Sequence, residues 1–198
     1  MSNKKLIIGI SGFARSGKDT AASIIDSFFT KSGKKVKIFS FAYALKSDMN
    51  NFSIEKIGIS SFVEDSDLKS KIRPILIAYG AVKRTLSNGR YWLDKIKPEI
   101  DSFFEGGGDI AIISDLRFKE FDFDEYDLIR SYENNLVINI SRENENGNPV
   151  QAAHESEEKN QPFFIKNSDK LLFWKSSQDK IYLNNQIKDI IFTIESKI

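Results

Sequence analysis

Cysteine is absent from the 198 residues, which removes disulfide scaffolds, thiolate zinc sites and cysteine nucleophiles together and fits a reducing cytosol. Histidine occurs once, at His154 in Ala153-His154-Glu155-Ser156-Glu157. No carboxylate or histidine spacing around it makes a metal site, so it reads as a surface or capping group rather than a ligand or general base. Charge of one sign is also lacking. Twenty-nine Lys and Arg against 28 Asp and Glu leave a formal charge of +1, so any pull on a polyanion must come from a local patch. A nucleic acid polymer is not an expected partner. The first apolar run, Leu6 to Ile10, has five residues before Ser11 and Gly12, too short for a signal h-region or a membrane span. A soluble, cytoplasmic protein without a membrane partner is expected, and a 40% hydrophobic content can furnish the core of one substantial domain.

The Leu6–Ile10 run suits a strand buried on both faces, as in a parallel sheet. After a Gly-rich turn, Ala21, Ile24, Ile25, Phe28 and Phe29 recur at helical spacing, with Lys31 and Gly33 as last-turn cation and stop. Val36 to Phe41 offers a second strand, so the chain opens as a βαβ unit of the α/β class. Ala42 to Asn51 reads as helix, and 52–71 shows no clear period and is expected to be helical or loop-like and mobile. Pro74 suits the first turn of a helix ending near Asn88 and Gly89, and Tyr91 to Ile100 makes a further short helix. Ile110–Ile113, Leu136–Ile140 and Lys170–Trp174 supply three more strands. The closing segment, with Ile181, Leu183, Ile187, Ile190, Ile191 and Ile194, is an amphipathic helix for one face of the sheet.

The strongest chemical signal is Gly12-Phe13-Ala14-Arg15-Ser16-Gly17-Lys18-Asp19-Thr20, a G-x4-G-K spacing between the first strand and its helix. Phosphate oxygens need several inward-facing donors at once, which requires a tightly bent backbone; glycine permits the bend and keeps side chains out of the anion's path. The following helix aims its free N–H groups at the same anion, and Lys18 adds a point charge at the β and γ phosphates. A solvated lysine on a glycine turn is the plainer reading, but strand before, helix after and strand beyond are the surroundings of a nucleotide phosphate site. Asp19 stands where the Walker pattern has its Mg²⁺-binding Ser or Thr, and the hydroxyl comes at Thr20. Thr20 on a phosphate and Asp19 on a magnesium-bound water are both open.

Such a loop serves switches, motors and kinases. No N-K-x-D guanine-reading motif is present, Asn167-Ser168-Asp169-Lys170 having the letters in the wrong order, and a DNA-acting ATPase needs a basic track that the charge balance does not provide. A small-molecule kinase must neutralise charge on two polyanions, so it needs arginines on loops around the phosphates. Arg15 lies in the loop, Arg117 follows the third buried strand and Arg142 the fourth, at the carboxyl ends where open parallel sheets form their ligand crevice. Arg73, Arg84 and Arg90 surround the middle helix. Asp115, ending Ile110-Ala111-Ile112-Ile113-Ser114, resembles a Walker B carboxylate that positions Mg²⁺, against the alternative of a capping or turn aspartate. Arg117 on phosphate competes with an exposed pairing to Glu120 or Asp122, worth only ~0–1 kcal/mol. Phe121 to Tyr126 reads as a half-buried edge or helix face, and Tyr91 with Trp92 as core or as a wall for a base.

Four ordered blocks, spanning about Leu6 to Asn167, carry a resemblance: SGFARSGKDTAA; RPILIAYGAVKR followed by YWLDKI; AIISDLRF; and NISREN followed by HESE. Together they resemble the bacteriophage deoxynucleoside monophosphate kinases of the P-loop nucleoside monophosphate kinase superfamily. The resemblance implies a three-layer α/β P-loop fold with a mostly parallel, about five-stranded sheet, as a single domain over 1–198. It also implies a helical acceptor-binding region around 42–105 and a lid around 142–165, with 52–71 as a second lid candidate. The implied reaction moves the ATP γ-phosphoryl group, with Mg²⁺, to a deoxynucleoside 5′-monophosphate (dNMP) in the cytoplasm, the host's if the chain is phage-encoded. By carry-over Gly12, Ala14, Arg15, Ser16, Gly17, Lys18, Asp19 and Thr20 bind ATP, and Lys18, Arg117, Arg142 and Asp115 act in transfer. Asp19 and Asp115 serve the metal, and Arg73, Arg84 and Trp92 serve the acceptor. A homodimer is left open. Two positions depart from the family pattern: Ile77 replaces a polar residue of the R-x-L-x-x-x-G helix, and Glu120 stands one residue early with Phe121 in its place. The rivals are another small-molecule P-loop kinase, such as one resembling dephospho-coenzyme A kinase, and a nucleotide-binding regulatory module without transferase activity.

Overall fold

The structure, a computed structural model, describes residues 5–144, 146–152, 155–175 and 180–198. The expected βαβ opening is present as β1 (Leu6–Ser11), α1 (Lys18–Lys31) and β2 (Val36–Phe39). It is followed by α2 (Phe41–Phe52), a π-helical turn (Ser53–Ile57), α3 (Ser66–Leu86), α4 (Arg90–Glu105) and β3 (Ile110–Leu116). The chain continues through α5 (Glu125–Arg130), β4 (Asn135–Glu143), α6 (Glu155–Asn167), β5 (Lys170–Lys175) and α7 (Lys180–Glu195). The five strands form one sheet in the order β2-β3-β1-β4-β5, with every neighbouring pair parallel. No helix among the described residues is long and apolar enough to cross a membrane.

Strand alternation builds the three layers. Successive side chains of a strand point to opposite faces, so Leu6, Ile8 and Ile10 of β1 pack with Ala21, Ile25 and Phe29 of α1 and with Ile187, Ile190 and Ile194 of α7. Ile7 faces the other way, into a layer made by Trp92, Leu93, Ile96 and Ile100 of α4, Leu128 and Ile129 of α5 and Phe164 of α6. All six β1 residues are buried, as a continuous apolar run at the centre of a doubly covered sheet should be. The edge strand β2 exposes Lys37 and Ile38. A smaller cluster of Met49, Ile72 and Leu76 joins α2 to α3 outside the main core.

Several boundaries differ from the sequence expectation. The helix expected to start at Pro74 starts eight residues earlier at Ser66, where the Asp65 carboxylate caps it by accepting from the amides of Asp67 and Leu68 at 3.1 and 2.9 Å. Pro74 therefore sits in the helix interior, where it cannot donate to the carbonyl of Ser70. Ser70 lies on the exposed side of the helix, and the Ile72 and Leu76 contacts keep the helix running. The 52–71 stretch is part helical and part loop, with the Ser53–Ile57 turn and the start of α3 joined by a connection that is hydrogen-bonded to α2. The side-chain oxygen of Asn50 accepts from Ser60 Oγ at 2.9 Å and from the Ser61 amide and hydroxyl at 3.1 and 3.0 Å. β3 and β4 both run three residues further than their apolar cores, so Asp115 and Arg142 lie within the strands instead of after them.

Candidate active site

β1 delivers the chain to a turn at the carboxyl ends of β1, β3 and β4, the crevice position of an open parallel sheet. Gly12 adopts φ 138°, and a Cβ there would stand 2.3 Å from the carbonyl oxygen of Ile140. Gly17 has φ 100°, and its Cβ would meet the indole of Trp174 at 2.8 Å. Both positions thus demand glycine twice, for conformation and for space. The Ser16 amide closes the turn on the carbonyl of Phe13 at 3.1 Å. Arg15, at the tip, holds a left-handed φ of 66°. α1 then starts at Lys18 with no side-chain cap, leaving its first N–H groups aimed into the loop. Ser16 Oγ is buried and has no hydrogen-bond partner among the described residues, a costly state that an anion oxygen in the cradle would relieve.

Lys18 is half-buried and its ammonium arches over its own loop, donating to the carbonyl of Phe13 at 2.7 Å. Burial holds its pKa below the ordinary lysine value of 10.5; the Glu157 carboxylate opposes that shift and Arg117 adds to it, with Asp19 and Asp115 also within electrostatic reach. Arg117, just past β3, places Nη2 2.9 Å from Oε1 of Glu157 on α6. The other oxygen of Glu157 accepts the amide of Ala14 at 3.2 Å. The structure therefore brings Lys18, Asp19, Asp115, Arg117 and the loop backbone together, and adds Glu157, which the sequence reading had passed over. The alternative weighed for Arg117, a pairing with Glu120 or Asp122, is not the one formed: Glu120 pairs with Arg84 and Lys159.

Asp115 performs the capping task weighed for it. Its oxygens accept from Ser40 Oγ at 2.8 Å and from the amides of Phe41 and Ala42 at 3.0 and 2.8 Å, pinning the start of α2 to the end of β3. A carboxylate so occupied suits a water-mediated rather than a direct metal contact. Among the described residues no group of three or more His, Asp or Glu side chains is arranged for a metal ion. Magnesium that travels with a nucleotide uses phosphate and water oxygens and needs only one or two from protein. Asp19 and Thr20 are both exposed in the first turn of α1.

Arg142 donates from Nη1 to the carbonyl of Arg15 at 3.1 Å and stacks over the Trp174 ring at 4.5 Å. Trp174 also donates its indole N–H to the carbonyl of Ser16 at 2.7 Å, so one aromatic at the end of β5 braces both the loop and an arginine. Its only sequence signal was an aromatic ending an apolar strand.

The three residues expected on the acceptor side part company. Arg73 is exposed on α3. Arg84 is buried and turned inward: both Nη atoms meet the Asp124 carboxylate at 2.9 Å, with Glu120 at 3.4 Å and Glu125 at 3.8 Å. Its guanidinium lies 3.7 Å from the Phe118 ring centroid. Burial alone would lower the Arg84 pKa, but the hydrogen bonds to Asp124 raise it. Burial would also raise Asp124, which Arg84 holds below its usual range instead. Burial pushes the neighbouring Glu125 up to about 8, against the pull of Arg84. Glu125 in turn accepts the amides of Arg117 and Phe118 at 2.7 and 3.0 Å, so this cluster underlies the turn that carries Arg117. Trp92 is 4% exposed and takes the core side of its two readings, edge-on to Tyr91 and Tyr79. Phe121, expected on a half-buried edge, flanks Arg84 at 5.5 Å. His154 lies outside the described residues.

No protein-family profile and no curated protein sequence matches the chain. Among solved structures it is similar to a variant of the Mycobacterium tuberculosis APS kinase CysC, at 9% identity and TM-score 0.46, covering 97% of this chain and 98% of that one. It is similar to a sugar kinase from Janibacter sp. at 12% identity and TM-score 0.49, covering 97% and 95%. A third likeness is to Chaetomium thermophilum Kti12 in complex with ADP-AlF3, at 16% identity and TM-score 0.40, covering 97% and 98%. The fold class rests on the molecule itself. A parallel β2-β3-β1-β4-β5 sheet, covered by helices on both faces and carrying a G-x4-G-K loop between β1 and α1, is a three-layer α/β P-loop fold.

Proposed function

We propose that the protein is an ATP-dependent kinase that transfers the γ-phosphoryl group to a deoxynucleoside 5′-monophosphate, releasing ADP and the deoxynucleoside diphosphate. The observation that carries the kinase reading is the cradle itself: an uncapped helix N-terminus, a buried Ser16 hydroxyl without a partner and the lysine of the loop, with Arg117 in electrostatic reach of that lysine. The choice of acceptor rests on the resemblance of the four sequence blocks.

Magnesium arrives with ATP as part of the substrate and neutralises phosphate charge. The loop amides and Lys18 hold the β and γ phosphates, Lys18 leaving the Phe13 carbonyl to do so. Arg142, braced on Trp174, and Arg117 meet the charge that spreads over the equatorial oxygens as the bond to the β,γ-bridging oxygen breaks. The attacking atom is an oxygen of the acceptor's own phosphate, so no protein nucleophile is needed, and the chain contributes alignment and electrostatics. Arg73 is the proposed acceptor-phosphate contact. Arg84 and Trp92 act on the acceptor side only by shaping the walls of α3 and α4, since their polar atoms are engaged internally.

A panel of dNMPs, ribonucleoside monophosphates and dephospho-coenzyme A, each with ATP and Mg²⁺, tests the assignment. ADP formation with one or more dNMPs is the expected result. Turnover of dephospho-coenzyme A alone would move the acceptor to a hydroxyl, and ATP binding without turnover of any acceptor would leave a regulatory nucleotide-binding module.

A further inference from the structure

Glu157 is a buried acid at the phosphate loop that a G-x4-G-K pattern does not call for. Its side chain is 2% exposed, whereas the Arg117 side chain it pairs with is 36% exposed. The contact is thus an ion pair between a buried carboxylate and a guanidinium that stays partly open, on the wall of the crevice. Through its second oxygen it accepts the Ala14 amide at 3.2 Å, so one rigid group ties the arginine to the phosphate loop across the gap between β3 and β1. Gly12, Arg117 and Glu157 line the same small crevice, and Glu157 is the strongest of the charges that favour the protonated form of Lys18.

We propose that Glu157 is a positioning residue, one that fixes the Arg117 guanidinium relative to the phosphate loop so that the arginine is already oriented when the phosphoryl group transfers. It does not touch the reacting atoms and it acts through Arg117. The kinetic consequence rests on the kinase reading above; the geometric one does not. A free arginine would have to be ordered in every turnover, and that cost would fall on the transition state rather than on ATP binding.

The test is a double-mutant cycle on kcat for acceptor phosphorylation, with Glu157→Gln, Arg117→Ala and the double variant, each confirmed folded by its thermal melt. Glu157→Gln is expected to lower kcat by about 10–100-fold while KM for ATP changes by less than about threefold. In the Arg117→Ala background it is expected to change kcat by less than about twofold, because the group it positions is gone. Multiplicative losses, an unchanged kcat or an effect confined to KM would overturn the proposal. If Glu157→Gln does not fold, Glu157→Asp enters the same cycle: one methylene shorter, it cannot span both the Ala14 amide and Arg117. A second arm needs no activity. The Arg117 Nε–H resonance of the nucleotide-free protein should be sharp in the wild type and broadened in the variant. An Arg117 resonance that the variant leaves unaltered overturns the proposal. Should the wild type phosphorylate no acceptor, the functional reading falls, and this arm still decides the role of Glu157.

Discussion

The indole N–H of Trp174 reaches the carbonyl oxygen of Ser16 at 2.7 Å, and the same ring lies under Arg142 and against Gly17. The last strand of the sheet thereby braces the phosphate loop from outside, at a sequence separation of 158 residues. Trp174→Phe keeps the ring and loses the hydrogen bond. It should cost about 0.5–1.5 kcal/mol of stability by denaturant titration and raise KM for ATP. Trp174→Ala also removes the platform under Arg142 and should lower kcat further; steady-state kinetics with ATP varied separate the two effects.

Gly12→Ala places a methyl group on the Ile140 carbonyl, at a backbone angle that L side chains rarely adopt. Because the nearest obstruction is the backbone carbonyl of Ile140, the loop must move. The variant should lose nucleotide binding by calorimetry while its far-ultraviolet circular dichroism stays close to the wild type. Wild-type affinity for an ATP analogue would contradict the assignment of the loop.

Lys18 supplies a pH dependence with a defined sign. Burial lowers its pKa in the free protein, and bound phosphates favour its charged form, so the nucleotide complex binds the proton more tightly than the free protein does. Affinity for ATP is then complete below the free-protein value and falls as pH rises through it. The basic limb of kcat/KM for ATP should lie below 10.5, the ordinary lysine value. Lys18→Ala should remove most turnover with little change in melting temperature.

Arg84 and its carboxylates predict a stability effect without a specific acceptor effect. Asp124→Asn leaves a buried guanidinium short of its bidentate partner and should destabilise by about 3–5 kcal/mol in urea titration. Two signs apply to pH. Asp124 is depressed in the folded state, so its contribution is present above its unfolded pKa and is lost as acid carries the pH through the folded value. Glu125 is raised to about 8, so the native state holds a proton that the unfolded chain gives up. Stability from this group therefore declines as pH rises from roughly 4.3, the unfolded glutamate value, toward 8. Glu125→Gln should flatten that decline, as melting temperatures measured between pH 5 and 8 would show.

The layered fold and the glycine-bounded turn between β1 and α1 were legible because their causes are local. An apolar run bounded by glycine makes a buried strand, a 3.6-residue period makes a helix, and two glycines five residues apart shape a cradle wherever strand and helix meet. Local signals also misled. Pro74 looked like a helix start because proline suits a first turn, yet the Asp65 cap and the contacts of Ile72 and Leu76 carry α3 straight through it.

The fate of each charged side chain was not legible, because it depends on which opposite charge the folded chain delivers. Arg84 and Arg117 look equally available in the sequence. The fold sets Asp124, 40 residues on, against both Nη atoms of Arg84 and buries the pair, whereas it leaves Arg117 half-open above Glu157. Glu157 itself meets the amide of Ala14 across 143 residues. The linear order of residues thus determined where the chain bends between β1 and α1 into the turn proposed as an anion cradle. Which arginine faces the cradle and which is sealed inside followed only from long-range packing, since Coulomb energy and desolvation depend on distances and burial that arise once the sheet and its helices have closed.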